Sequence, residues 1–193
     1  SNTGLYMDMT RLGASHYYLI AYQGEGSDGY LCTIHVWNNS GIIQQSIVDV
    51  WEHDNGDGGY DSIAHVTDDI YAIVYRDGAS PVTVFTVNVD DANGVITKSA
   101  IDTQLLSYSG YECYMVHVSG NIYAVAYRDT DSDGRIETIS IDSHGNIGNS
   151  VNDTIEFDNA NAFYPKMSMI DSDTIAIVYQ GTDSDGFLVT YDI

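Results

Sequence analysis

The chain has 193 residues and a formal net charge of −22, from 28 acidic residues against 6 Lys and Arg. So few basic residues cannot form a positive patch, which excludes nucleic acid and anionic membrane surfaces as partners. No run of about 18 apolar residues is present, so no membrane span is predicted, while 44% hydrophobic residues suffice for the core of one domain.

A repeat of about 52 residues organises the chain. Four segments end in an apolar run followed by tyrosine, and these tyrosines, spaced 53, 52 and 52 residues apart, are Tyr22, Tyr75, Tyr127 and Tyr179. Each period contains four short apolar segments separated by Gly, Asp, Asn and Ser, a pattern that predicts four strands. The second segment of each period is apolar throughout, which is typical of a strand buried on both faces.

Four-stranded units of about 40 to 55 residues are typical of propeller blades. We therefore predict an all-β, β-propeller-like fold, with the chain as a single repeat domain, 1–193, and blades at approximately 5–52, 60–106, 111–157 and 163–193. The strands are antiparallel and number fifteen, because the last repeat lacks its outer strand. A β-solenoid and an immunoglobulin-like sandwich are the alternatives. The open edge at Phe187–Tyr191 predicts pairing with another copy of the chain.

Acidic residues concentrate in loops that this connectivity places on one face. One loop reads Asp129-Thr-Asp131-Ser-Asp133-Gly134, a DxDxDG pattern that turns alternate oxygens inward, and calcium takes six to eight oxygen ligands. We expect one calcium site at Asp129, Asp131 and Asp133. Weaker candidate ligands are Asp183, Asp185, Asp54, Asp57 and Asp28. The alternative is a solvated hairpin, since Asp-Gly is a common turn pair.

Aromatic residues in the links between blades are candidate platforms for a bound ligand, with core packing as the alternative. These residues are Trp51, Tyr60, Tyr108, Tyr111, Phe163 and Tyr164. Arg76 and Arg128 directly precede two of the acidic loops. Either arginine can clamp a ligand carboxylate, or it pairs with neighbouring loop acids.

No catalytic motif is found in the sequence. The nucleophile elbow GxSxG, the HExxH zinc motif, the P-loop, the dinucleotide fingerprint and the sialidase-type Asp-box SxDxGxxW are all missing. We therefore predict no enzyme activity. A glycoside hydrolase stays open, because a catalytic carboxylate pair cannot be picked out among 28 acids.

Segments 117–129, 131–142 and 153–158 resemble tandem repeats of about 50 residues in uncharacterised secreted surface proteins of archaea and bacteria. The DxDxDG loop resembles the calcium loops of integrin-type propeller repeats. The resemblance implies a propeller-like extracellular or cell-surface module and supplies no catalytic residues. Two glycosylation sequons, Asn38-Asn39-Ser40 and Asn152-Asp153-Thr154, agree with secretion.

We predict a non-catalytic extracellular binding or adhesion module with calcium as its cofactor and a protein or glycan as its ligand. One alternative is a glycan-binding or glycan-hydrolysing propeller. A second alternative is a structural subunit of a surface layer or filament, assembled through the open strand edge.

Overall fold

The computed structural model describes residues 4–37 and 47–193. The first glycosylation sequon, Asn38-Asn39-Ser40, lies outside the described residues. The described residues form fifteen strands in four antiparallel sheets, with two single-turn 3₁₀ segments at Glu25–Ser27 and Thr182–Ser184. Within these ranges, no helix has the length and hydrophobicity to cross a membrane.

Each sheet is one blade of a four-bladed propeller, and its strands are hydrogen-bonded in chain order. Blade 1 contains β1 (Leu5–Arg11), β2 (Tyr17–Gln23), β3 (Gly29–His35) and β4 (Asp49–Asp54). Blade 2 contains β5 (Gly58–Thr67), β6 (Ile70–Asp77), β7 (Thr83–Val89) and β8 (Ile96–Leu105). Blade 3 contains β9 (Gly110–Ser119), β10 (Ile122–Asp129), β11 (Gly134–Ser140) and β12 (Asp153–Asp158). Blade 4 contains β13 (Phe163–Met169), β14 (Thr174–Gln180) and β15 (Gly186–Asp192).

This architecture confirms the predicted all-β propeller fold, including a last blade of three strands. The apolar second strand of each repeat lies inside its sheet, as β6 of blade 2 illustrates. Tyr71, Ile73 and Tyr75 pack towards blade 1, whereas Ala72 and Val74 pack towards blade 3. Because both faces of the sheet are covered, alternation of apolar and polar residues is lost along this strand.

Three hydrophobic clusters join neighbouring blades. One cluster lies between blades 1 and 2, a second between blades 2 and 3, and a third between blades 3 and 4. In the part of the chain that the structure describes, no such cluster joins blade 4 to blade 1. The core is therefore a series of flat interfaces between sheets and not one central mass.

A polar contact recurs at the junctions between blades. In the third strand of blade 1, the hydroxyl of Thr33 donates to the Gly94 carbonyl of blade 2 at 2.6 Å. At the equivalent position of blade 2, Thr86 donates to the Gly145 carbonyl of blade 3 at 2.5 Å. Each bond satisfies a carbonyl of a loop that packs against the preceding blade, and so fixes how adjacent blades align.

We expect Thr86→Val to lower the free energy of unfolding by about 1–3 kcal/mol, because it leaves the Gly145 carbonyl without its buried donor. The matched control is Thr190→Val, at the equivalent but exposed position of blade 4, where we expect a change within about 0.5 kcal/mol. Urea titration followed by circular dichroism measures both values. Equal effects of the two substitutions would contradict the role of this contact.

Candidate functional site

One backbone irregularity recurs near the start of the innermost strand of every blade. Tyr6, Tyr60, Glu112 and Tyr164 each have a positive φ, at 49°, 59°, 60° and 54°. The strand pairing shifts register at each of these positions, as expected for a β-bulge. Non-glycine residues rarely adopt this left-handed conformation, and such strain is common at functional sites.

The four bulge side chains line one depression at the propeller axis. The depression contains about 400 Å³ of space, part of it open to solvent. Its other lining residues, which come from the innermost strands of the same blades, are Met7, Asp61, Cys113, Pro165 and Lys166. The space that a water-sized sphere can enter is about 110 Å³, below the roughly 300–1,000 Å³ of closed small-molecule sites, so the depression is shallow and holds part of a ligand.

Aromatic rings and arginines are layered beside this depression. The rings of Tyr6 and Tyr60 stack with their centroids 3.8 Å apart, and Tyr60 meets the edge of Tyr111 at 6.0 Å. The guanidinium groups of Arg76 and Arg128 lie 4.7 and 5.0 Å from the centroid of the Tyr111 ring. Cation–π contacts of this kind hold long side chains in a fixed position.

Glu112 is held by charge and hydrogen bonds. Arg128 Nε donates to Glu112 Oε2 at 3.2 Å, and the backbone N–H of Tyr164 donates to the same oxygen at 2.9 Å. Arg128 also lies over the Phe163 ring, 4.5 Å from its centroid. Glu112 therefore receives donors from its own blade and from blade 4, and these hold its carboxylate oxygens in place.

Asp61 is buried without a hydrogen-bond partner among the described residues. His53 Nε2 lies 3.7 Å from Asp61 Oδ1, which is too long for a hydrogen bond. Burial raises the pKa of Asp61 to about 8 and lowers the pKa of His53 to about 4. At neutral pH the aspartate is therefore mainly protonated and the histidine neutral, so the two side chains do not form an ion pair.

Two of the predicted aromatic residues, Trp51 and Tyr108, do not line the depression. Trp51 lies in β4, where its ring packs against Phe85 in the junction between blades 1 and 2. Tyr108 is exposed, and Arg135 lies over its ring at 4.7 Å. Trp51 therefore packs in the junction between blades, which is the core-packing alternative predicted above.

Arg135 already compensates the charge of the DxDxDG loop. Asp129 Oδ1 accepts from the backbone N–H groups of Asp131 and Asp133, at 2.9 and 3.0 Å. Asp129 Oδ2 accepts from Arg135 Nε at 2.9 Å, and Asp133 Oδ2 lies 3.3 Å from the same guanidinium. Among the described residues, no group of three or more His, Cys, Asp or Glu is placed to hold a metal ion. The Arg135 guanidinium thus supplies the positive charge that a bound metal ion would otherwise supply, and calcium binding stays a prediction.

The remaining candidate metal ligands have different partners. Asp57 pairs with Arg76 at 2.6 Å. Asp54 accepts from the Gly56 N–H at 2.8 Å, and burial raises its pKa. Asp28, Asp183 and Asp185 lie at the two 3₁₀ segments.

Four residues that line the depression, Tyr6, Asp61, Glu112 and Lys166, are not among the site residues predicted from sequence. A repeat signal was present, because Tyr60, Glu112 and Tyr164 follow each other at intervals of 52 residues. Of these three, only Glu112 is not aromatic. The bulge position thus has a repeat signal of its own in the innermost strand, separate from the signal of the second strand.

Comparison with known proteins identifies the fold and no family. No protein-family model matches the chain, and no curated protein has a significantly similar sequence. Among solved structures, the NanB sialidase of Streptococcus pneumoniae is similar with a TM-score of 0.65 and 12% identity, over 98% of this chain and 30% of the sialidase. The Hadza microbial sialidase Hz136 has a TM-score of 0.60 and 14% identity, over 92% of this chain and 35% of that protein.

An engineered GH43 glycoside hydrolase with endo-xylanase and exo-arabinofuranosidase activity is also similar, with a TM-score of 0.56 and 12% identity. That match covers 100% of this chain and 42% of the hydrolase. The chain thus spans less than half the length of each of these structures. At these identities the similarity establishes the propeller fold alone.

We expect the buried Asp61 to make the protein less stable at alkaline pH. Its pKa of about 8 in the folded state exceeds the ordinary value of about 3.9, so its contribution is complete below about pH 4 and is lost as the pH rises through 8. Asp61→Asn should therefore raise the melting temperature at pH 8.5 relative to the wild type and change it little at pH 4.5. Scanning calorimetry across this range tests the prediction, with the exposed Glu25→Gln as control. A wild-type profile in Asp61→Asn would contradict it.

We expect calcium to compete with Arg135 for the DxDxDG loop. Calorimetric titration of chelator-treated protein should give saturable binding that is lost when Asp131 and Asp133 are both changed to alanine. Arg135→Gln should tighten binding, because it removes the guanidinium that now neutralises Asp129 and Asp133. Absence of binding in both the wild type and Arg135→Gln would exclude this loop as a calcium site.

Proposed function

We propose that the axial depression binds a glycan. The observation that carries this proposal is the set of four left-handed bulges, which direct three tyrosines and one glutamate onto one concave surface. Tyrosine offers an apolar ring face together with a hydroxyl, and a sugar has C–H faces and hydroxyl groups that complement both. Glu112, whose carboxylate is held by Arg128, adds an acceptor for a sugar hydroxyl.

The activities of the structural neighbours support a glycan as the ligand class. Two of these proteins are described as sialidases and a third as a glycoside hydrolase with activity on xylan and arabinofuranosides. Their sequences are at most 14% identical to this chain, so the class of ligand is the only inference that we transfer.

Glycoside hydrolysis is the second candidate, and one specific observation favours it. Asp61 and Glu112 line the same depression but have different environments: the first is a buried carboxyl without partners, and the second is paired with Arg128. A carboxyl that burial keeps protonated and a second carboxyl paired with an arginine are the two kinds of group that a glycosidase uses as its acid and as its nucleophile or base.

We also propose that the protein acts outside the cell or at the cell surface, as a binding or adhesion module. Its supports are the net charge of −22 and the resemblance to secreted repeat proteins. A protein ligand is compatible with the exposed tyrosines of the same depression, since tyrosine is enriched in protein interfaces. Calcium at the DxDxDG loop would act on this face by neutralising its acids.

Binding is tested first on a printed glycan array and then by calorimetry with the sugars that the array selects. We expect Tyr164→Ala to weaken binding about tenfold or more, the effect typical of removing an exposed aromatic contact. Tyr108→Ala is the matched control, because Tyr108 is an exposed tyrosine outside the depression. An array without bound glycans, or equal losses in the two variants, would overturn the proposal.

Hydrolysis is tested separately, by release of 4-methylumbelliferone from its sialic acid, xylose and arabinofuranose glycosides. We expect activity to disappear in Glu112→Gln, which keeps the shape of the side chain and removes its charge. Sugar binding that persists in the wild type without any release of the fluorophore would leave the lectin function in place and reject the hydrolase.

A further inference from the structure

The repeat allows each blade face to be compared position by position. One face of every blade points along the ring towards the next blade, and we call it the leading face. In blades 1 to 3 its apolar residues are covered by the next blade, so that Leu31, Val84 and Ile136 are at most 1% exposed. At the same position of blade 4, Leu188 is 66% exposed. The adjacent β14 residue, Val178, is 47% exposed, whereas its equivalents Ala21, Val74 and Ala126 are fully buried.

The opposite face, which points towards the preceding blade, we call the trailing face. In blades 2 to 4 its innermost strand contributes Ile63, Met115 and Met167, which are 8%, 3% and 5% exposed. In blade 1 the equivalent residue is Met9, which is 56% exposed. The leading face of blade 4 is therefore uncovered by the described residues, and so is the innermost strand of the trailing face of blade 1, whereas Cys32 in the third strand of that face is 5% exposed.

The two uncovered faces are the two halves of one junction between blades. Each of the three filled junctions consists of one leading face packed on one trailing face. The described residues contain one more face of each kind and do not bring the two together. Apolar patches of this kind on a soluble protein mark interaction sites, because covering them removes Met, Val and Leu side chains from water.

We propose that a second copy of this chain covers them, with the leading face of blade 4 of one copy docked on the trailing face of blade 1 of the other. The contact reproduces the junctions already present inside the molecule, and so continues an interface that the sequence has formed three times. It is a heterologous contact, which closes into a ring of two copies or extends into a longer series. It differs from pairing at the Phe187–Tyr191 edge, which uses backbone hydrogen bonds of β15 and not the sheet faces.

The charge of the protein predicts how this association depends on salt. Each copy has a net charge of −22, so two copies repel each other at low ionic strength. The screening length falls from about 10 Å at 0.1 M salt to about 3 Å at 1 M. Association through apolar faces should therefore strengthen as sodium chloride is added, whereas a contact made of ion pairs would weaken.

The test is sedimentation velocity of the 193-residue chain at 10–200 μM, in 0.1 and 1 M sodium chloride. We expect association in the wild type that increases with salt, and monomers in both Met9→Asp and Val178→Asp. The control is Leu105→Asp, a similarly exposed residue on the outer strand β8 of blade 2, which should associate like the wild type. Circular dichroism confirms that each variant is folded.

Mixing the two variants separates this contact from other modes of self-association. Met9→Asp keeps an intact leading face on blade 4, and Val178→Asp keeps an intact trailing face on blade 1. An equimolar mixture should therefore form heterodimers through one junction, although neither variant associates alone. A monomeric wild type at 200 μM in 1 M salt, association that survives in either variant alone, or a mixture without heterodimers would each overturn the proposal.

Discussion

The structure depends on apolar packing between adjacent blades. A sheet of three or four short strands cannot bury its apolar faces by itself, and each blade here covers at least one of them with a neighbouring blade. The second strand of each repeat reflects this packing, because its residues are apolar on both faces of the sheet. The recurring Thr-to-glycine hydrogen bonds then set the alignment that apolar packing alone would leave free.

The same packing makes the axial bulges tolerable. A left-handed tyrosine or glutamate costs about 1–3 kcal/mol of backbone strain, and such strain persists only where the surroundings fix the chain. After the bulges of blades 2 to 4, the buried residues Ile63, Met115 and Met167 of the innermost strands anchor the chain between blades. The rigid junctions thus allow the strained backbone to direct side chains towards the axis, where one contribution from each blade forms a single surface.

The blades and most of their strands could be predicted from sequence, because each repeat alternates apolar strand segments with turn segments rich in Gly, Asp, Asn and Ser. Local patterns of this kind identify strands directly. It did not predict the bulges, because a left-handed residue in a strand has no composition of its own: here it is tyrosine three times and glutamate once. Trp51 shows the converse. Trp51 lies next to a link between blades, which suggested a ligand platform, but its ring packs against Phe85 in the junction between blades 1 and 2. Tertiary packing, which the local sequence does not show, decides between a ligand platform and a core residue.

Acidity by itself is a weak guide to the site, because many of the aspartates stabilise turns. Asp90, Asp142 and Asp158 each accept a backbone N–H two residues further on, at 2.8 Å, as short polar side chains do in turns. Buried acids in strands are different, since each must find donors or remain protonated. Glu137 accepts from the N–H of Ser107 and so is explained by structure, whereas no hydrogen bond among the described residues accounts for Asp61 at the depression. The exceptional acid, and not the abundant ones, is therefore where function is to be sought.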